Sequence, residues 1–157
     1  MLDQNIKKFY IIIFSLSFFS LIAALYVEYI LGFKPCILCI YQRIPYAIAI
    51  LISLTALFTG NRNTILIILG LTFLAGTLLS GYHVSIEKGI IEPLFSCTGE
   101  NIKALEKEEI LKSLNNIKPD CKDVDFSLFG ISLATLNFII SFVLTVVIVY
   151  IFRYAKK

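Results

Sequence analysis

The chain has 157 residues, of which 58% are hydrophobic and only 16% charged, and its mean hydropathy is +0.86. Soluble domains are about half apolar and about a quarter charged, so this composition excludes an ordinary soluble domain and indicates a membrane protein. The formal net charge of +3 includes no run of like charge and no alternation of basic and aromatic residues. We therefore expect no nucleic-acid partner.

Four long apolar segments predict membrane-spanning helices, since each approaches the roughly 20 residues needed to cross about 30 Å of hydrocarbon. The first segment exceeds the roughly 7–15 apolar residues of a signal peptide and lacks a small-x-small cleavage site, so we expect it to be retained. The predicted fold is an all-α membrane protein, a four-transmembrane-helix bundle forming one domain over 1–157. Its spans are predicted at about 9–31, 41–59, 64–82 and 131–152.

The distribution of charge predicts how the chain crosses the membrane. Basic residues dominate both termini and the short turn at 60–63, whereas the loop at 83–130 carries six lysines against nine acidic residues. Cytoplasmic loops accumulate Lys and Arg. The termini and the turn are therefore expected in the cytoplasm, and the loops at about 32–40 and 83–130 on the opposite, exported side.

All four cysteines fall in the two exported loops, at Cys36, Cys39, Cys97 and Cys121. Exported compartments allow disulfides to persist, whereas the cytosol keeps thiols reduced. Four cysteines permit three pairings, and spacing favours 36–39 and 97–121 because each pair lies within one loop. Zinc would need the second pair, or His83, as further ligands, without the usual ligand spacing. We therefore expect no metal.

The segment Cys36-Ile37-Leu38-Cys39 closes a ring of four residues, which removes little loop entropy and suits thiol exchange better than stapling. Lys34 and Arg43 add positive charge that favours a thiolate. Arg43 lies one helical turn after Cys39, on the side where cations are least expected. The alternative for Arg43 is a side chain that merely extends to the membrane surface.

Other polar residues have a simpler interpretation when taken alone. His83, the only histidine, falls at the outer end of the third span, where an interfacial polar residue is common. Asn137 in the fourth span is typical of a helix–helix hydrogen bond.

The long loop is predicted to contain a short helix at about 99–117, and whether this helix lies on the membrane is open. A Cys97–Cys121 disulfide would close a ring of 25 residues around it, worth about 3 kcal/mol in the chain-entropy model. By spacing alone, a structural staple is the favoured interpretation of this second pair.

The stretch "PCILCIYQR" (35–43) resembles the Cys-x-x-Cys and following arginine of the DsbB family, the bacterial inner-membrane disulfide bond formation proteins. The stretch "FSLFGISLATLN" (126–137) also resembles the segment that leads into the family's fourth helix. The resemblance covers nearly the whole chain, including the four spans, the two exported loops and the histidine that ends the third helix. Gln42 stands where some relatives have Glu.

This resemblance implies a quinone-dependent protein-disulfide oxidoreductase that supports disulfide formation in exported proteins. A reduced, DsbA-like periplasmic thioredoxin-fold protein would attack the Cys97–Cys121 disulfide through Cys97, and Cys121 would then exchange with Cys36. The Cys39 thiolate would contact a membrane quinone, with Arg43 and His83 as quinone-binding residues. Ubiquinone is the first expectation for the quinone and menaquinone the second.

Two other classes compete with this interpretation. A structural membrane protein would use Cys97–Cys121 only as a staple and would tolerate the loss of Cys36. An enzyme of the vitamin K epoxide reductase type shares a helix-bound Cys-x-x-Cys and quinone chemistry. In that type the motif is expected on a later helix, whereas here it follows the first span.

Overall fold

The computed structural model describes residues 2–58, 61–92, 127–128 and 130–155. Four stretches in this part of the chain are long and apolar enough to cross a membrane: Ile6–Tyr29, Ile37–Ala56, Arg62–Glu87 and Leu133–Tyr154. The predicted all-α bundle with four membrane spans is therefore confirmed. The predicted helix at about 99–117 lies outside the described residues.

The first span is a single helix, α1 (Leu2–Tyr29), whereas the second consists of α2 (Ile37–Tyr41) and α3 (Ile44–Ala56). Cys36 caps α2, because its Sγ accepts a hydrogen bond from the backbone N–H of Cys39 at 3.2 Å. The second span thus begins at Ile37, earlier than the predicted start near 41.

A turn at Gln42 and Arg43 interrupts the α-helix between α2 and α3, although both residues keep helical dihedral angles. Pro45 lies in the first turn of α3, where its missing N–H removes no helical hydrogen bond.

The third span is α4 (Arg62–Glu87), and the fourth is α5 (Leu133–Ala155). α4 continues past the predicted end at 82, so that its last turn carries further polar residues. A hairpin that the sequence did not predict precedes α5, in which β1 (Ser127–Leu128) pairs antiparallel with β2 (Ile131–Ser132). Gly130 has φ +80° in the turn, a backbone conformation that favours glycine.

The helices pack as α1 on α3, α3 on α4, and α4 most extensively on α5. Small residues allow close approach, as in other helical membrane proteins. A Cβ atom at Gly76 would lie 3.4 Å from Pro45 Cβ and 3.4 Å from Ser141 Oγ. The largest fully buried apolar side chains between the helices are Ile13, Leu66, Leu69, Phe73, Ile86 and Ile148.

The outward faces of the helices are also apolar. Phe19 on α1, Leu51 on α3 and Leu78 on α4 each expose more than 60% of their surface. Exposed apolar area of this extent is rare on soluble monomers and suits a lipid environment.

The up-and-down order of the spans determines which polar residues meet. The C-terminal ends of α1 and α4 lie at the same end of the bundle as the N-terminal ends of α2 and α5. We call this the Cys-x-x-Cys end, because Cys36 and Cys39 begin the second span there.

Candidate functional site

A cavity of about 270 Å³ opens at the Cys-x-x-Cys end of the bundle, and its walls are mainly apolar. Four residues that the sequence singled out line it together: Cys36, Cys39, Arg43 and His83. The other two predicted site residues, Cys97 and Cys121, lie outside the described residues.

The two cysteines of the motif form no disulfide and are in direct contact. Cys36 is buried, with 6% of its surface exposed, and its S–H donates a hydrogen bond to Cys39 Sγ at a sulfur–sulfur distance of 2.9 Å. Cys39 is partly exposed and lies among the residues that line the cavity. The structure therefore represents the dithiol form of the pair.

Cys36 holds its proton firmly. The hydrogen bond to Cys39 and burial together raise the pKa of Cys36 to about 12, against a smaller lowering effect of its contact with His83. Cys36 lies just before the second span, at the edge of the bundle. The sequence led us to expect that nearby cations lower a thiol pKa in this motif. This is not the case for Cys36, because its hydrogen bond to Cys39 and its burial raise its pKa.

Arg43 has an ion-pair partner that the sequence analysis did not identify. Its Nη1 donates to Oε2 of Glu28, in the last turns of α1. The two side chains keep 22% and 24% of their surface exposed, so solvent screens the pair only in part. Glu28 was visible in the sequence only as the single charge within the first apolar run. The sequence could not predict its ion-pair partner, because α1 and the turn at 42–43 come together only in the folded chain.

His83 is almost completely buried, with 2% of its surface exposed, and makes polar contacts through both ring nitrogens. Its Nε2 lies 3.6 Å from Cys36 Sγ and 3.8 Å from Glu87 Oε1, and its Nδ1 lies 2.8 Å from Gln42 Nε2. An amide nitrogen is only a donor, so Nδ1 accepts in this arrangement and Nε2 carries the proton. The neutral imidazole thus directs an N–H toward the thiol and the carboxylate.

Gln42 and Asn137 continue this arrangement across the bundle. The Asn137 amide nitrogen donates to Gln42 Oε1 at 2.8 Å, and Asn137 Oδ1 accepts a hydrogen bond from the Tyr46 hydroxyl. The expectation that Asn137 makes helix–helix hydrogen bonds is confirmed. Asn137 holds Gln42, and Gln42 in turn holds the imidazole of His83 in position. Both amide residues also line the cavity.

Glu87 is the last residue of α4 and was also missed. It follows His83 by four residues, so both side chains lie on one face of the helix. Its second oxygen, Oε2, accepts a hydrogen bond from Ser132 Oγ at 2.6 Å. The His-x-x-x-Glu spacing was the available signal, but the predicted helix ended before it.

The fold and the site together define a multi-pass helical membrane protein with a Cys-x-x-Cys thiol–disulfide centre in an apolar cavity. The family model "Disulfide bond formation protein DsbB" matches residues 6–151, and the chain belongs to this family. The predicted family is therefore confirmed, and with it a disulfide-forming oxidoreductase.

Similar proteins include two that are named disulfide bond formation protein B. The chain is 32% identical over 156 residues to "Uncharacterized protein RP370" of Rickettsia prowazekii, covering 96% of this chain and 90% of that protein. It is 36% identical over 84 residues to the SPbeta prophage-derived disulfide bond formation protein B of Bacillus subtilis, covering 54% of this chain and 56% of that protein. It is 27% identical over 119 residues to disulfide bond formation protein B of Xylella fastidiosa strain 9a5c, covering 70% of this chain and 68% of that protein.

Proposed function

We propose that this protein is a protein-dithiol:quinone oxidoreductase of the bacterial inner membrane, which reoxidises a DsbA-like periplasmic thiol oxidase. The single observation that carries the proposal is the position of the Cys36–Cys39 dithiol. The pair lines a mainly apolar cavity that also contains Arg43 and His83, at one end of a membrane bundle.

The cavity has the character expected of a quinone head-group site. Small-molecule sites are mostly apolar and contain a few placed polar groups. Here Leu21, Ala24, Val27, Phe33 and Ile140 contribute apolar walls. The guanidinium of Arg43 is a hydrogen-bond donor suited to a quinone carbonyl oxygen, and His83 adds a polar side chain to the same wall as Cys36. When bound, a quinone would supply a two-electron, two-proton acceptor.

The residues of the chain divide the remaining work. Formation of the Cys36–Cys39 disulfide releases two electrons and two protons from the pair. Cys36, with its raised pKa, keeps its proton and donates to Cys39, so Cys39 is the sulfur that accepts a hydrogen bond. Cys39 is also the more exposed of the two sulfurs within the cavity, which supports it as the atom that faces the acceptor.

Arg43 supplies positive charge at the cavity, and Glu28 partly neutralises it in the dithiol state. A negative charge developing beside Arg43 would be stabilised by the guanidinium in competition with Glu28. Gln42 holds the ring of His83 so that its Nε2–H stays directed at Cys36 and Glu87.

Electrons would reach the dithiol through the second pair. In the proposed relay a reduced DsbA-like partner attacks the Cys97–Cys121 disulfide and forms a mixed disulfide with Cys97. The released Cys121 then attacks the Cys36–Cys39 disulfide at Cys36 and releases Cys39. The second thiol of the partner displaces Cys97, and Cys97 attacks Cys121, which restores the Cys97–Cys121 disulfide and leaves Cys36 and Cys39 as the dithiol. Every step exchanges one disulfide for another, so no further oxidant is required until the acceptor at Cys39.

The proposed orientation places both termini in the cytoplasm and the cysteines in the periplasm. The excess of Lys and Arg at the termini and the 60–63 turn supports it. The Cys-x-x-Cys end lies opposite the start of α1 and the start of α4, in agreement with that orientation.

The relay is tested with purified protein, ubiquinone and a reduced thioredoxin-fold dithiol. Quinone loss is followed by absorbance for the unaltered protein, Cys39→Ser and Cys97→Ser. We expect turnover to disappear in both variants. The Cys97→Ser variant should still reduce quinone when a small dithiol reduces Cys36–Cys39 directly, because only the partner's point of attack is missing. Turnover with the protein substrate in the absence of Cys97 would contradict the relay.

A further inference from the structure

The dithiol state brings together donor atoms that the catalytic cycle does not use as a set. Cys36 Sγ, Cys39 Sγ and a ring nitrogen of His83 all lie within 4.8 Å of one another. Glu87 adds a carboxylate oxygen 3.8 Å from His83 Nε2. Zinc was disfavoured from the sequence because no ligand spacing was visible, but α4 supplies His83 and Glu87 from more than 40 residues away.

We propose that the reduced Cys36–Cys39 pair, together with His83 and Glu87, binds a thiophilic divalent cation of the Zn²⁺ and Cd²⁺ class. Two thiolates, one imidazole and one carboxylate form a four-coordinate set that suits these ions. Disulfide formation removes both thiolates, so the oxidised pair does not bind the ion. The site is therefore present in only one redox state of the protein.

One pair of donor atoms already has the spacing of a tetrahedral site. Zn–S bonds of about 2.3 Å and Zn–N bonds of about 2.0–2.1 Å place sulfur and nitrogen about 3.6 Å apart. Cys36 Sγ and His83 Nε2 are 3.6 Å apart. The two sulfurs, at 2.9 Å, must separate to about 3.8 Å in such a site. The ion then replaces the S–H···S hydrogen bond that now holds them together.

The candidate ligands from α4 already have outer partners of the kind that metal sites use. Ser132 holds Oε2 of Glu87, which leaves Oε1 on the side of His83. Gln42 holds His83 Nδ1 at 2.8 Å. When Nε2 binds the ion, Nδ1 carries the proton and donates to the oxygen of the Gln42 amide, which turns over to receive it. The Asn137 amide turns over as well, so that its oxygen accepts from Gln42 and its nitrogen donates to the Tyr46 hydroxyl.

Charge also favours a divalent ion. Two thiolates and one carboxylate leave a net charge of −1 around a divalent cation. Arg43 and Lys34 line the same cavity and, with Glu28 neutralising one of them, leave one positive charge to offset it. Binding releases the two thiol protons to solvent and changes no oxidation state.

The consequence is inhibition, and this part rests on the proposed function. A cation held by both sulfurs prevents them from forming a disulfide with each other or with Cys121. Binding itself requires only the reduced pair, so it can be measured without quinone and without a partner protein.

The test uses full-length protein in detergent with Cys97→Ser and Cys121→Ser, which leaves Cys36 and Cys39 as its cysteines. The protein is reduced, freed of reductant and titrated with Cd²⁺. Ultraviolet charge-transfer absorption reports Cd–thiolate bonds, and equilibrium dialysis gives the stoichiometry. We expect one Cd²⁺ per reduced protein and no charge-transfer band from the oxidised protein.

Two variants then test the ligands from α4. His83→Ala and Glu87→Gln should each weaken Cd²⁺ binding at least about tenfold, the lower end of what the loss of an orienting partner costs a metal site. Glu92→Gln is the matched control, because Glu92 is an exposed carboxylate that does not line the cavity. It should leave the affinity unchanged.

An affinity that is unaltered in His83→Ala, or equal binding by oxidised and reduced protein, would overturn the metal site. The Glu87→Gln variant keeps the shape of the side chain, so it answers the question even if His83→Ala fails to fold. A protein that reduces quinone but binds no Cd²⁺ contradicts the metal site alone. A protein that binds Cd²⁺ but reduces no quinone contradicts the proposed function alone.

Discussion

Replacing Arg43 by alanine removes a cation from the cavity and at the same time leaves Glu28 without its ion-pair partner. Both effects disfavour negative charge that develops in the cavity when an acceptor is reduced. A simple loss of activity in Arg43→Ala would therefore not show how much the cation itself contributes. Removing the carboxylate as well separates the two effects.

The size of the second effect follows from the exposure of the pair. Removing one partner of a fully buried ion pair costs about 3–5 kcal/mol, whereas an exposed pair is worth about 0–1 kcal/mol. With 22% and 24% of the side chains exposed, the pair lies between these limits. We estimate about 1–3 kcal/mol of folding free energy for the stranded carboxylate. We take the same range for its repulsion of an anion that develops in the cavity, which corresponds to about 5- to 150-fold in rate.

The prediction is that Glu28→Gln/Arg43→Ala recovers about 5- to 150-fold of the kcat/KM for quinone that Arg43→Ala loses. Initial rates of quinone reduction by purified protein in detergent give kcat and KM for each variant. The remaining deficit of the double variant measures the contribution of the Arg43 cation. Glu92→Gln combined with Arg43→Ala is the control, and it should recover nothing because Glu92 does not line the cavity.

A double variant that is no more active than Arg43→Ala would refute the reasoning about the stranded charge. Full activity of Arg43→Ala itself would refute the assignment of Arg43 to the quinone site.

Three further predictions concern the thiol, the polar contacts and the packing. Because the pKa of Cys36 is raised to about 12, the rate of its alkylation by iodoacetamide, followed by peptide mass spectrometry, should keep increasing above pH 9. Cys39→Ala removes the hydrogen bond and should move the pH midpoint of this rate lower. An unchanged pH midpoint would contradict the hydrogen-bond explanation. Gln42→Ala loses the hydrogen bonds to His83 and Asn137. Such bonds are worth about 0.6 kcal/mol each and at most about 1.7 in membrane proteins, so the free energy of unfolding in detergent should fall by about 1–2 kcal/mol. An unaltered free energy of unfolding would contradict both contacts. Gly76→Ala should be tolerated because its Cβ would make ordinary contacts with Pro45 and Ser141. Gly76→Val adds methyl groups beyond that Cβ and should lower the thermal unfolding temperature. Equal unfolding temperatures of the two variants would contradict this helix contact.

Much of the fold was predictable because a membrane span has a strong local signature. An uncharged run of about 20 residues has few alternatives to a transmembrane helix, whatever surrounds it. The turn at Gln42 and Arg43 was less visible, because the apolar pattern continues on both sides of it. The hairpin before α5 was also missed, since its strands are only two residues each and lack a longer alternating pattern.

The candidate site divides in a similar way. Cys36, Cys39 and Arg43 are neighbours in the sequence, so their proximity required only a helical turn. The contact of Cys36 with His83 depends on the packing of α4 against the second span, and no spacing rule contains it. Likewise, the ion pair of Glu28 with Arg43 and the hydrogen bond of Gln42 with His83 join different helices. They become recognisable only when the helices are placed together.

The central claim is that electrons leave the protein from the Cys36–Cys39 pair to a quinone. The most direct measurement is a single turnover of fully reduced Cys97→Ser/Cys121→Ser protein, mixed anaerobically with excess ubiquinone and no partner. We predict one equivalent of quinol per protein and a Cys36–Cys39 disulfide in the peptide map, with neither product in Cys39→Ser. If the dithiol remains reduced and no quinol forms, the pair does not donate electrons to quinone, and the proposed function is contradicted.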